Sequence, residues 1–471
     1  MRDDMNESAM TVQNRTFNQS GGNLHMRGIL LTVLVGMLIL ATAGSAIPVG
    51  KVFPYTYEVK KLDNGLTVIL IPMESPGLVA YYSIVRTGSR DEWEPGHSGF
   101  AHLFEHMMFR GTEKFPGPVY DSLMTAMGAN ANAYTTDDYT CYYMVVGASN
   151  LPKVIEMEAD RFQNLKYDEQ AFKTETGAVL GEYLKSLASP WMVLSETLLN
   201  TAFDKHTYKH TTIGFRKDIE AMPTMYEYSK SFFRRYYRPE NVVLLIVGDI
   251  KPQEVFPLIE KYYGGWEPGY VPPKITPEPE QKKERFARAK YNGRTLPILA
   301  VAYKGPAFSV DSKDAAACYL LGNLAFGENS DLYKKLVIQE QRVQFIEPDF
   351  SYHRDPKLLT IYTMVKKEDD INNVRDEIYA TVRKFQTELI DAKRLEDEKS
   401  NARYGFLMRL DTPGNVAGNL ARLIALTGGI EVVDKLYEVM DSITPEDIQA
   451  VAKKYLVPER RTVVILKGGH K

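Results

Sequence analysis

The sequence predicts an α+β fold of two tandem homologous domains, each a largely antiparallel sheet packed with helices. Three observations carry this. First, the chain repeats itself. Arg234-Arg235-Tyr236-Tyr237-Arg238-Pro239-Glu240 leads into an apolar strand pattern at 241–247, and Lys453-Lys454-Tyr455-Leu456-Val457-Pro458-Glu459 leads into another at 461–466. The two prolines stand 219 positions apart. Each time an amphipathic helix pattern stops before a proline and an apolar strand follows. Second, strand patterns joined by turns and then several helical patterns open the first half, the order expected of α+β domains. Third, Pro268, Pro272, Pro273, Pro277 and Pro279 mark a stiff, extended linker. The expected boundaries are a leader at 1–46, a first domain at 47–266, a linker at 267–280 and a second domain at 281–471.

Taken in order, the leader pairs Met26-Arg27 with an apolar run at 29–43 that ends in Ala43-Gly44-Ser45-Ala46. A basic start, a short apolar core and small residues describe a secretory signal peptide cleaved after Ala46. The run is about 15 residues, against the roughly 20 of a membrane-spanning helix, so an uncleaved anchor is the alternative. Met26 is an alternative start. The chain is therefore expected to be exported, to a periplasm or outside the cell. Strand patterns at 56–62 and 66–71 flank Asp63-Asn64-Gly65, whose Asn-Gly favours a tight hairpin. A third strand pattern covers 78–87, a long β-rich run covers 132–146, and helical patterns cover 168–187 and 225–236. The second half opens alike, with strand patterns at 284–290 and 296–303. Cys141 and Cys318 fall in different halves and read as buried thiols rather than a bridge. With a net charge of −3 and interspersed signs, nothing suggests a nucleic-acid surface.

The chemistry concentrates in His102-Leu103-Phe104-Glu105-His106. Imidazoles four residues apart on a helix lie one turn from each other on one face, spaced to grip a single metal ion. The carboxylate between them can reach a metal-bound water. Ser98 is the expected N-cap and Gly111 the expected C-terminal stop. At about 100° per residue, Phe100, Leu103, Phe104, Met107 and Met108 form one apolar stripe, with His102, Glu105 and His106 opposite. Because the second half has no such histidine pair, one metal site per chain is expected. A catalytic zinc needs a third protein ligand. The helical pattern at 168–187 carries Phe172, Val179, Leu180, Tyr183, Leu184 and Leu187 as its buried stripe. On it, Glu175 and Glu182 stand two turns apart on one face; spacing alone leaves them equally open to being surface glutamates. His206 and His210 share the four-residue spacing, but in a polar stretch that reads as a loop. His97 belongs to the turn before the motif helix.

The run Gly88-Ser89-Arg90-Asp91-Glu92, the motif within Gly99 to Thr112, and Gly128-Ala129-Asn130-Ala131-Asn132-Ala133-Tyr134-Thr135 resemble the pitrilysin/insulinase family of zinc peptidases, in its bacterial processing-peptidase-like branch. The motif's order, His-x-x-Glu-His, is the inverted one. The likeness spans the mature chain and is strongest over 87–187. It implies a Zn2+-dependent endopeptidase acting on peptides or unfolded segments. It implies His102, His106 and Glu182 as zinc ligands, Glu105 as general base and Glu175 as a second glutamate supporting catalysis. It also implies Asn132, Ala133 and Tyr134 along the strand that holds the substrate. One departure stands out. Where the family's second domain carries an arginine and, seven positions later, a tyrosine that bind substrate and oxyanion, this chain has Val337 and Gln344. The resemblance therefore implies a heterodimer with a metal-free paralogue that supplies the pair; a homodimer is the other assembly. Alternatively Tyr134 or Arg342 substitutes. A non-cleaving structural or peptide-binding member of the same fold is the alternative of a different class.

Overall fold

Two sheets organise the chain, and they repeat one strand order. The computed structural model describes residues 51–469, so the leader and the cleavage point after Ala46 lie outside the described residues. The first sheet is built from β1 (Glu58–Lys61), β2 (Thr67–Pro72), β3 (Leu78–Val85), β4 (Asn130–Thr135), β5 (Thr140–Gly147) and β6 (Val242–Gly248), in the order β1-β2-β6-β3-β5-β4. The second has β7 (Arg285–Tyr291), β8 (Ile298–Lys304), β9 (Val343–Asp349), β10 (Leu358–Val365) and β11 (Arg461–Gly468), in the order β7-β11-β8-β10-β9. Apart from the extra β1, the two orders correspond strand for strand. In each, the strand after the repeated proline enters the middle of the sheet. There it pairs in parallel with the half's early strand, while the other pairings are antiparallel. The α+β prediction holds.

The hairpin closes as predicted: Leu62 N donates to Leu66 O at 2.9 Å, and Gly65 takes φ +94°. The Asn64 side chain serves both the turn and a distant segment: its Oδ1 accepts from Leu66 N at 3.2 Å, and its amide donates to Tyr263 O and Trp266 O. β6 and β8 are buried along their whole length, because each sheet is covered on both faces. The covering is exchanged between halves. Helix Pro190–Ala202 packs Leu194 and Leu198 against Ile298, Ala300 and Val464 of the second sheet. Helix Pro413–Thr427 of the second half joins one core with Ile69, Tyr82 and Leu245 of the first sheet. Between the repeats, 267–280 has no regular structure, but it is pinned: Glu278 accepts from the backbone N–H groups of Asp204, Lys205 and His206. Cys141 and Cys318 are free and buried, as expected.

A buried polar seam also joins the halves. The segment between β9 and β10 brings His353 and Lys357 against the turn that follows β4, and Asp355 against Arg90 and His206. Asp138 accepts from Tyr208 Oη at 2.5 Å and lies 3.2 Å from His353 Nδ1. Asp355 accepts from Arg90 Nε at 2.6 Å and faces His206 Nε2 at 2.9 Å. Lys357 pairs with Asp137. Burial works to raise both acids. Hydrogen bonds from His353 and Tyr208 outweigh it at Asp138, and those from His206 and Arg90 hold Asp355 down at about 2. A carboxyl depressed in the folded state stabilises the fold above its unfolded value, near 4, and that contribution is lost as pH falls through the folded value. Thermal melts should therefore fall from pH 6 to pH 3. Asp355→Asn, already less stable at pH 6, should lose less over that interval; an equal loss in both proteins would contradict the role given to this seam.

Candidate metal centre

The motif helix runs from Phe100 to Met107, with a 3-10 turn, Met108–Arg110, continuing it. Its stripe is as read: Phe100, Leu103, Phe104, Met107 and Met108 are wholly buried. Burial of such side chains contributes roughly 1.5–3 kcal/mol each. Phe104 stacks on Phe232 with ring centroids 5.2 Å apart, and its carbonyl accepts from Tyr142 Oη at 3.0 Å.

The cap differs from the expectation. Ser98 does not cap this helix; its hydroxyl donates to Asp218 and accepts from Phe215 N. Glu92 does the capping instead, taking Gly99 N and Ala101 N at 2.7 Å each. Gly99 itself has φ +94°, and a Cβ there would stand 2.5 Å from Ile213 O, so no other residue fits. Gly111 does end the segment with positive φ, as expected.

The second helix runs from Glu169 to Ser186, and Asp168 caps it through Ala171 N at 2.7 Å. Phe172, Val179 and Tyr183 are buried, whereas Leu184 is exposed and so leaves the stripe assigned to it. Glu175 is buried within that face and Glu182 is half-exposed above it.

The two helices bring the sequence-singled residues together. Glu182 Oε2 lies 3.6 Å from His102 Nε2 and 3.5 Å from His106 Nε2. The three ligand atoms lie within 4.8 Å of one another, and no other such cluster occurs among the described residues. Nitrogen and oxygen ligands about 2.0–2.1 Å from a tetrahedral ion are about 3.3–3.4 Å apart, so the donor set fits zinc. Burial holds His102 below the ordinary imidazole range, in the neutral form that can donate to a metal. The His106 hydrogen bond, more than burial opposes it, holds Glu182 below the usual carboxylate range. Glu175 Oε2 approaches the other His106 nitrogen, Nδ1, at 3.3 Å, and its Oε1 pairs with Arg110.

Glu105 stands beside this set without joining it. Thr135 Oγ1, on β4, donates to Glu105 Oε2 at 2.7 Å. That contact orients β4 and overturns one expectation. Side chains alternate along a strand, so with Thr135 toward the motif helix, Tyr134 faces away. Its hydroxyl is 3.2 Å from Tyr139 Oη, and its ring lies beside Tyr143. The Tyr134 side chain therefore cannot serve as a donor at the metal. β4 is nonetheless the edge of its sheet, with Asn132 exposed and its Oδ1 accepting Ala133 N at 2.8 Å.

Arg342 pairs with Glu340 in its own turn, and Phe345 packs on Trp191. His206 and His210 lie in a loop with one 3-10 turn, as read, but both are buried; His206 serves the seam, and His210 Nε2 lies 3.8 Å from Glu92. Among the described residues they join no cluster of metal-ligating side chains. His97 sits in the turn expected, against Tyr228. Sequence reading missed Glu92, Thr135 and Arg110 as site residues. Only Arg110 had a local signal, its position one turn beyond His106.

Residues 78–215 match the profile described as Insulinase (Peptidase family M16), and residues 225–402 match the one described as Peptidase M16 inactive domain. The chain is similar to zinc protease PqqE of Helicobacter pylori, 28% identical over 439 residues that cover 91% of this chain and 97% of that one. It is also similar to a probable mitochondrial-processing peptidase subunit beta of Arabidopsis thaliana, 24% identical, covering 85% and 76%. Among solved structures it resembles a protease from Helicobacter pylori, 28% identical with a TM-score of 0.82, covering 88% of this chain and 99% of that one.

Proposed function

The chain belongs to the insulinase (M16) family of peptidases, and on that premise we propose that it is an exported zinc-dependent endopeptidase acting on peptides or unfolded segments. The observation that carries the proposal is the convergence of His102, His106 and Glu182 with Glu105 held alongside. In this reading the first domain, 47–266, holds the ion through those three residues, and the second, 281–471, holds none. Bound zinc supplies Lewis acidity toward the scissile carbonyl and acidifies a water molecule. Glu105 accepts the proton of the attacking water and returns it to the leaving amine nitrogen. The free edge of β4, at Asn132, Ala133 and the main chain of Tyr134, takes the substrate as an added strand. Main-chain pairing of this kind tolerates many sequences. Glu175 acts as a positioning residue at His106 Nδ1, the outer contact that metal-bound histidines ordinarily make. Export rests on the leader pattern, and a paralogous partner rests on Val337 and Gln344.

Removing zinc with a chelator should abolish peptide hydrolysis, and one equivalent per chain should restore it. Hydrolysis that persists in metal-free protein would sink the proposal. The absence of the arginine and tyrosine at Val337 and Gln344 favours a second reading, a peptide-binding member that does not cut. It requires that zinc-loaded protein bind peptide strands without turnover, with or without a paralogue.

A further inference from the structure

We propose that Arg110 is a positioning residue of the metal centre, acting through Glu175 on the ring of His106. The inference rests on the zinc reading above and deepens it. Glu175 is buried, and a buried carboxylate without partners is costly. Its two oxygens are divided between two groups: Oε2 faces His106 Nδ1 at 3.3 Å, and Oε1 pairs with the Arg110 guanidinium. With one guanidinium nitrogen of Arg110 holding Oε1, the carboxylate is anchored at one end, which favours one direction for Oε2 to meet the imidazole. With Nδ1 met from that side, Nε2 turns toward Glu182 Oε2, 3.5 Å away.

The backbone beneath Arg110 is held as firmly as its head group. Gly111 has φ +84°, and a Cβ there would stand 2.4 Å from Phe115 O. Gly111 O accepts from Lys166 N at 3.1 Å, and Thr112 N donates to Phe115 O at 2.9 Å. The Arg110 side chain thus hangs from a pinned turn one helical step beyond His106.

The two histidines differ in a way that makes this relay matter. His102 Nδ1 is buried with no hydrogen-bond partner among the described residues, so no outer polar contact holds that ring through Nδ1. His106 is the ligand whose orientation depends on outer polar contacts, and Arg110 is the outermost of them. Loss of such an outer contact typically costs about 10–100-fold in metal affinity.

The test measures zinc affinity of the full chain by competition with a chromogenic chelator, together with the visible spectrum of the cobalt-substituted protein. Arg110→Met and Glu175→Gln should each weaken zinc about tenfold or more and alter the cobalt spectrum; metal-free Glu175→Gln should melt like the wild type, whereas metal-free Arg110→Met, which leaves the buried carboxylate short of one partner, should melt somewhat lower but stay folded. The double variant should bind no more weakly than Glu175→Gln alone, since both act on one chain of contacts. Arg110→Lys should recover part of the loss, keeping the charge but not the planar guanidinium. Arg110→Met that binds zinc like the wild type, changes only KM, or multiplies with Glu175→Gln would overturn the inference while leaving the zinc reading intact. Wild-type protein that binds no zinc would overturn that reading and this inference with it.

Discussion

Glu105→Gln is expected to bind zinc like the wild type and to hydrolyse peptides about 10³-fold more slowly, within the range that a positioned general base contributes. Both halves of the expectation follow from the geometry. Glu105 lies outside the set formed by His102, His106 and Glu182, so its replacement removes no donor. Thr135 Oγ1 donates to Glu105 Oε2, and a glutamine carbonyl can accept the same bond, which keeps the side chain in place. What the amide cannot do is accept and return a proton. His102→Ala is the contrast: it deletes a donor from the set and should lose metal and turnover together. Elemental analysis beside hydrolysis of a quenched peptide separates the two outcomes. Turnover retained in zinc-loaded Glu105→Gln would remove Glu105 from the reaction.

The parts of the site that could be read from sequence are those fixed by local periodicity. The stripe of Phe100, Leu103, Phe104, Met107 and Met108 follows from helical repeat alone, and it places His102, Glu105 and His106 on the other face. The seven-residue spacing of Glu175 and Glu182 likewise became two carboxylates reaching the two nitrogens of His106. The parts that escaped depend on partners far along the chain. Ser98 had the composition of a cap, but Asp218, 120 residues away, takes its hydroxyl, and Glu92 fills the vacancy. Leu184 lost its place in the stripe because the helix buries a narrower face than its apolar residues suggested. His206 does lie in the loop its polar stretch suggested, but its burial depends on distant partners, Asp355 of the second half and Glu278 of the linker. Tyr134 is a different case. Strand parity was available, but which parity faces the metal depends on Thr135 meeting Glu105, a contact between β4 and a helix that no local pattern encodes.

With the Tyr134 hydroxyl turned away from the metal, the chain alone should cleave slowly, and a paralogue bringing the arginine and tyrosine should raise kcat/KM about 10²–10³-fold, the usual worth of an oxyanion donor. The groups within this chain that could have substituted are otherwise engaged. The Tyr134 hydroxyl is turned to Tyr139 on the far face of the sheet, and Arg342 is paired with Glu340. At the family positions themselves, Val337 is half-buried in a π-helical turn, Lys334–Gln339, and Gln344 stands exposed on the edge strand β9. Neither offers a charge or a phenol. Gln344 does sit where a longer side chain would meet solvent or a partner rather than a packed core, so the double variant Val337→Arg, Gln344→Tyr should fold. In a homodimer it should recover part of the missing activity without any paralogue. Full turnover by the unmodified chain, unchanged by mixing and by the double variant, would show that the donor lies elsewhere in this molecule. No gain on mixing, with gain in the double variant, would instead exclude that particular paralogue and keep the role assigned to the pair.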